Sequence, residues 1–269
     1  MTLEQSLARN MSRAILDHAL LQEGDRILVG MSGGKDSYAL YTLLERLQRR
    51  APVRFELVAV HVDQKQPGYD GAPLRGWLAE HAREWHIIEE DTYSIVTGIV
   101  PEGKTYCALC SRLRRGVLYR VAQELRCNKI ALGHHRDDTL ETLLLNLFFA
   151  GKMAAMPAKL TNDAGTCEVI RPLIYCAEPE LAAFAQEQRY PIMPCNLCGS
   201  QSQAQRKQMK ALLATMEAKH PQIKANMMAA LGNIRPTQLL DHGVVRTDSA
   251  SASAARVARA EASEASNVL

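Results

Sequence analysis

The stretch VGMSGGKDSYALYTLL, Val29 to Leu44, decides the fold. Arg26 to Gly30 is a short apolar run with the character of a buried strand. Ser32-Gly33-Gly34 makes a tight turn, and from Asp36 to Arg49 leucines recur at helical spacing at 40, 43, 44 and 47. A strand, a glycine turn and a helix N-terminus in succession present backbone N–H groups to an anion. The loop differs from a Walker A loop, which has four residues between its glycines and Ser or Thr after the lysine. Here three residues separate Gly30 from Gly34, and Asp36 follows Lys35. Lys35 supplies charge for phosphate oxygens, and Asp36 and Ser37 supply oxygens suited to a bridging Mg²⁺.

Outward from this unit the pattern repeats. A second strand is expected over Phe55–Val62, ending at Asp63, then a helix over Pro73–Trp85 and a third strand over His86–Glu90. A basic helix over Ser111–Arg126 leads to a fourth strand, Lys129–Gly133, and a helix from Asp137 to about Phe149. A fifth strand over Val169–Leu173 and a helix from Pro179 to Gln188 follow. This alternation predicts a doubly wound α/β fold with a parallel five-stranded sheet and a small Cys-containing C-terminal helical extension. Residues 1–24 read as an opening helix with Leu3, Leu7, Met11 and Ile15 on one face. Residues 25–190 form the main domain, 191–245 the extension with helices over Gln203–His220 and Pro221–Gly232, and the Ala/Ser-rich 246–269 a disordered tail. Ligands of such sheets bind at the carboxyl ends of the strands, where Gly30, Asp63 and Gly133 to His135 all fall.

The 269 residues are 47% hydrophobic, enough for a substantial core, and the net charge of +3 confines any nucleic-acid surface to local patches. No apolar run is long enough for a membrane span, no secretory leader is evident, and a cytoplasmic protein is expected. Four of seven cysteines form two Cys-x-x-Cys pairs, Cys107/Cys110 and Cys195/Cys198. By spacing alone they suit a structural zinc, an iron–sulfur cluster or a redox pair. Cys127, Cys167 and Cys176 are isolated and read as packing residues, as do Trp77 and Trp85.

The hexapeptide Ser32-Gly33-Gly34-Lys35-Asp36-Ser37 resembles the loop of PP-loop ATP pyrophosphatases of the adenine-nucleotide α-hydrolase type. Gly133-His134-His135-Arg136-Asp137-Asp138-Thr139-Leu140-Glu141-Thr142 resembles the G-H-x-x-D-D-x-x-E-T segment of the members that modify tRNA. With C-A-L-C-S-R-L-R-R after Tyr106 and P-C-N-L-C-G-S-Q from Pro194, residues 1 to about 235 resemble the TtcA family of tRNA 2-thiocytidine synthetases.

That resemblance implies a chemistry and a set of roles. ATP would bind at Ser32, Gly33, Gly34, Lys35, Asp36, Ser37, His61, Asp63, Gly133 and His134, with Mg²⁺ at Asp36, Asp137 and Asp138. A [4Fe–4S] cluster with one open iron would take Cys107, Cys110 and one cysteine of the second pair. Cys198 is assigned, because Gly199 lets backbone N–H groups approach a cluster sulfur, with Cys195 as the alternative. Lys35, Asp36 and the three cysteines would carry the catalysis. The substrate would be cytidine 32 of tRNA, the sulfur source a cysteine desulfurase, and the assembly a homodimer. Arg112, Arg114, Arg115, Arg206 and Lys207 flank the cysteines and would guide tRNA phosphates. Two other functions remain open at this point. A PP-loop ligase of another kind would not need the paired cysteines, and a zinc-stapled regulator would bind ATP without turnover.

Overall fold

A computed structural model of the protein describes residues 1–100, 107–162, 164–193, 201–235 and 238–240, and not the side chains of 107, 108 and 201–204. In chain order the elements are α1 Leu3–Asp17, β1 Asp25–Gly30, α2 Lys35–Gln48, β2 Phe55–Asp63, α3 Ala72–His81 and β3 Trp85–Glu89. They continue with α4 Thr92–Ile99, α5 Cys107–Glu124, β4 Lys129–Ala131, α6 Arg136–Leu145, a π turn Asn146–Ala150, β5 Lys159–Thr161 and β6 Glu168–Ile170. Helices α7 Glu178–Glu187, α8 Gln201–Lys219 and α9 Ile223–Leu231 complete the list. The chain forms two units, Met1–Lys224 and Ala225–Leu269. Among the described residues no helix is long and apolar enough to cross a membrane.

The sheet order is β3-β2-β1-β4-β6-β5. Five strands run parallel, with Val29 opposite Ala59 on one side and Ala131 on the other. Where five strands are expected, the sheet has six among the described residues. The addition is β5, antiparallel to β6 and joined to it by a hairpin in which the Asn162 side chain accepts from the N–H groups of Thr166 and Cys167. Helix α4 is also absent from the sequence reading. Its residues, TYSIVTGI, are rich in β-branched side chains that favour strands. The Asp91 carboxylate, accepting from the Ser94 N–H at 2.9 Å, caps it as a helix instead.

Side chains alternate between the two faces of the sheet, as the strand period of two requires. Ile27 and Val29 join one core with Leu7 and Met11 of α1, Leu40 and Leu44 of α2, and Phe184 of α7. Leu28, Val58 and Val60 join the other with Val117 and Val121 of α5. Helix α1 begins with a capping box between Thr2 and Gln5 and buries Leu7, Met11, Ala14 and Ile15 in the first core.

The order of the strands reverses between β1 and β4, the two that follow one another across the centre. That leaves a crevice outside their carboxyl ends. Gly133 is essential to its shape. A Cβ there would lie 3.0 Å from the carbonyl carbon and oxygen of Asp36 and 3.2 Å from the Ser37 nitrogen. The glycine therefore lets the end of β4 touch the first turn of α2 and bring the two motifs side by side.

Candidate active site

The crevice is a cavity of about 530 Å³. Gly30, Ser32, Asp36 and Ser37 from the β1–α2 loop line it, with His61 from β2 and Gly133, His134 and Asp138 from β4–α6. Arg114 and Arg115 of α5 and Arg171, just after β6, complete its polar wall. The three clusters at the strand ends therefore share one space.

In the loop, Gly33 has φ +77°, a conformation that favours glycine, and a Cβ there would meet the Met193 side chain at 2.0 Å. The Met193 N–H donates to the Gly33 carbonyl at 3.0 Å, and Tyr38 Oη donates to the Pro191 carbonyl at 3.1 Å. The extended segment after Tyr190 is thus fastened over the loop. Lys35 and Gly34 are at the loop but do not line the cavity. Lys35 Nζ is 3.0 Å from Asp36 Oδ2 and 3.4 Å from Glu178 Oε1. Burial alone would lower this ammonium's pKa, but the two carboxylates outweigh it and hold Lys35 above its ordinary range. Glu178 is itself shared with Lys210 at 2.6 Å.

The carboxylates divide by what their oxygens already hold. Asp36 Oδ1 is buried with no hydrogen-bond partner. Asp138 Oδ2 accepts from the His135 N–H at 3.0 Å in a capping box, and Oδ1 accepts from Arg206 at 3.2 Å. Asp137 points away from the cavity. It accepts from the Glu178 N–H at 2.9 Å and pairs with Lys224 at 2.8 Å, which holds its carboxyl below the usual range against the effect of burial. Asp63 lies outside the cavity, beside Tyr69, Asp70 and Arg75, and caps the Lys65 N–H at 2.8 Å. An unpartnered carboxylate oxygen facing a phosphate-shaped loop is what a hard cation requires, and Asp36 alone among the four meets it.

His61 forms a wall with both ring nitrogens engaged. Nδ1 lies 2.6 Å from the Met31 carbonyl, which can only accept, so Nδ1 carries the proton. Nε2 then accepts from Tyr69 Oη at 2.5 Å. Burial lowers its pKa, so it stays neutral. His134 is driven further, to about 4, by burial, with Arg171, Arg206 and Arg114 adding to the effect and Asp138 opposing it. Its Nδ1 is buried without a partner.

Glu141, one turn beyond Asp138, is pushed up to about 7 by burial, with Asp138 and Glu178 adding and Arg206 and Lys210 opposing. Its 3.6 Å approach to Arg206 does not reverse this, because Arg206 is hydrogen-bonded to Asp138. The folded state holds this proton more tightly than the unfolded chain does. Glu141 therefore lowers stability as pH rises from about 4.5 through about 7, by on the order of 3 kcal/mol, and adds no further change above that. Glu141→Gln is expected to raise the unfolding free energy at pH 8 and leave it nearly unchanged at pH 5, read by urea denaturation at both. A variant less stable at pH 8 would instead mark the contact with Arg206 as a net favourable ion pair.

Cys110 is the one cysteine of the two pairs whose side chain is described. Its Sγ lies 3.2 Å from Gln64 Oε1, and Gln64 lines the cavity. Cys107 opens α5 one turn earlier, its side chain outside the described residues, and Cys195 and Cys198 lie outside them altogether. The described residues on either side of the second pair are both tied to the cavity's rim. Met193 is bonded to Gly33, and Arg206 is bonded to Asp138. Of the basic residues, Arg114 and Arg115 reach the cavity, Arg112 and Lys207 are exposed, and Arg206 is paired with Asp138 and Glu141. Cys127, Cys167 and Cys176 are buried, and burial pushes their thiols up to about 11, 11 and 12.

Arg171, Gln64 and Glu178 escaped the sequence reading. Arg171 alone carried a signal, a cation in the otherwise apolar run Val169-Ile170-Arg171-Pro172-Leu173. It is only 9% exposed, its Nε has no partner, and burial lowers its pKa.

A parallel sheet with a glycine loop entering α2 and a second glycine motif at the switch point defines a PP-loop protein. The PP-loop domain family matches residues 3–194. The chain is 60% identical over 244 residues to a tRNA-cytidine(32) 2-sulfurtransferase of Sorangium cellulosum, covering 91% of this chain and 86% of that one. It is 56% identical over 239 residues to the protein of that name in Paracidovorax citrulli, covering 89% and 77%. The chain belongs to the tRNA-cytidine(32) 2-sulfurtransferase family. Among solved structures it resembles the U34-tRNA thiolase NcsA from Methanococcus maripaludis with its [4Fe–4S] cluster. The TM-score is 0.67 at 23% identity, covering 87% of this chain and 80% of that one, a likeness of fold.

Proposed function

We propose that the protein is an ATP-dependent tRNA sulfurtransferase that converts cytidine 32 of tRNA to 2-thiocytidine. The observation that carries this reading is the shared cavity. The β1–α2 loop, the second glycine motif and Gln64, the neighbour of Cys110, all open onto it, and Lys35 stands at that loop.

The cytosine C2 oxygen is a poor leaving group. Its attack on the α-phosphorus of ATP forms an O–P bond and expels pyrophosphate. Hydrosulfide then attacks C2, the C2–O bond breaks, and AMP departs with the oxygen. Backbone N–H groups at the start of α2 and Lys35 stabilise charge on the pyrophosphate. Phosphates arriving at Lys35 would replace Asp36 and Glu178 as its partners, and Lys210 would keep Glu178 neutralised. His134 is uncharged at neutral pH and can orient a base or ribose group without repelling the guanidiniums.

The donor sets fit the groups this chemistry needs. Mg²⁺ would be held by Asp36 Oδ1, with Asp138 across the cavity, and would neutralise pyrophosphate charge; Asp137 secures the start of α6. A [4Fe–4S] cluster on Cys107, Cys110 and Cys198, or Cys195 in its place, would supply an open iron for sulfide. A cysteine desulfurase is the proposed sulfur source, a homodimer the proposed assembly and the cytoplasm the proposed location.

The test is anaerobic purification with counts of iron, zinc and labile sulfide, then incubation with ATP, sulfide and tRNA. The expected products are AMP, pyrophosphate and 2-thiocytidine, identified by mass spectrometry of digested tRNA. One zinc, no labile sulfide and no pyrophosphate release would identify a nucleotide-binding protein without turnover.

A further inference from the structure

Helix α6 does not end in solvent at Leu145. It continues as the π turn Asn146–Ala150 and stops at Gly151, whose φ of +60° closes it. On this turn Phe148 is 58% exposed and Phe149 53%, two of the chain's four phenylalanines. Leu147 and Met153 are exposed beside them. Apolar rings more than half exposed among the described residues call for an occupant.

The turn is held rigidly. Asn146 Nδ2 donates to the Ala154 carbonyl at 2.7 Å, and the Lys152 N–H donates to the Asn146 carbonyl at 3.0 Å. The segment then runs to Met156, which lines the cavity, and to Pro157 and Ala158. Arg171 grips both, its Nη1 donating to the Pro157 carbonyl at 2.7 Å and its N–H to the Ala158 carbonyl at 2.8 Å. One short, internally bonded loop therefore joins the exposed rings to the cavity wall. Three guanidiniums on that wall, Arg114, Arg115 and Arg171, have no carboxylate within ion-pair distance among the described residues.

We propose that Phe148 and Phe149, joined by this loop to the cavity wall, form a stacking platform for unpaired bases of the RNA loop that carries the target cytidine. The inference rests on the RNA substrate proposed above. A base must leave its stack to enter a cavity, and protein aromatics replace the stacking that it and its neighbours lose. Successive side chains on a helical turn diverge, so the two rings offer two faces to a kinked strand rather than one stack. The unpaired guanidiniums answer the backbone phosphates. A second copy of the chain is the less favoured occupant. The four exposed apolar side chains offer roughly 400 Å² together, about half of what each partner in a stable dimer buries.

The experiment compares the cluster-loaded wild-type protein with the double variant Phe148→Ala/Phe149→Ala and with Phe148→Tyr/Phe149→Tyr. Binding of a fluorescent RNA hairpin with a single-stranded loop, binding of ATP and oligomeric state are measured for each. The alanine variant is expected to bind the hairpin roughly 10- to 100-fold more weakly, with ATP affinity and oligomeric state unchanged. The tyrosine variant is expected to bind as wild type does. Unchanged hairpin affinity in the alanine variant overturns the platform, and so does a change in oligomeric state, which would make the patch a contact between copies. If wild type binds ATP but no loop RNA, the sulfurtransferase reading fails as well, and the two failures are distinguished.

Discussion

Lys35→Ala is expected to abolish 2-thiocytidine formation while iron and labile sulfide stay at wild-type levels. Lys35 sits at the mouth of the phosphate loop, its ammonium shared between Asp36 and Glu178 and partly exposed, so no core contact depends on it. Glu178 keeps Lys210 when the lysine is removed. The loss falls on pyrophosphate departure, where one preorganised charge contributes a factor of about 10² to 10³ in rate. Pyrophosphate release and nucleoside analysis read the first effect, and iron counting reads the second. If the variant came out of anaerobic purification without iron, the separation between loop and cysteine centre would be wrong.

Cys110→Ser is expected to do the reverse. Iron and labile sulfide are lost and thiolation falls to background, while ATP affinity stays within a few-fold of wild type. Serine keeps the size and a hydrogen-bonding atom for Gln64, which lies 3.2 Å from the present sulfur, so α5 is not disturbed. What it lacks is the soft thiolate that iron–sulfur ligation requires. A full complement of iron in this variant would move the centre elsewhere. A collapse of ATP binding would mean that Cys110 supports the loop itself.

The parts of the fold legible in the sequence were those with a strong period. Strands β1, β2 and β4 are apolar runs bounded by turn residues, and the register sets Gly30 opposite Val60, one residue before His61, and Val29 opposite Ala131, two residues before Gly133. The short edge strand β5 has only three residues, too few for a period to emerge, and depends on a hairpin held by Asn162. Helix α4 depends on one capping aspartate working against the propensities of its residues.

The site was legible in the same uneven way. SGGKDS and the Gly-His-x-x-Asp-Asp segment carry their chemistry in adjacent residues, and the structure brings them to one cavity. The two aspartates of the second motif look alike in sequence but are separated by partners far along the chain. Lys224 and the Glu178 N–H take Asp137, whereas Arg206 takes Asp138. Gly133 reads as a residue admitting a nucleotide, yet what approaches it is the backbone of Asp36 and Ser37. Gln64 and Arg171 matter through neighbours that no local pattern encodes. Trp77, which reads as a packing residue, packs edge-on against Tyr38 with ring centroids 4.9 Å apart, whereas the exposure of Phe148 and Phe149 has no local signal in the sequence.

The account turns on one adjacency, that of the sulfur centre and the ATP-cleaving loop. The direct measurement is iron anomalous diffraction from crystals of the anaerobically purified protein grown with a non-hydrolysable ATP analogue. The account predicts an iron peak beside Cys110 that opens into the cavity holding the α-phosphate, with no protein between them. Iron sealed away from that phosphate, or zinc at the cysteines, would contradict it.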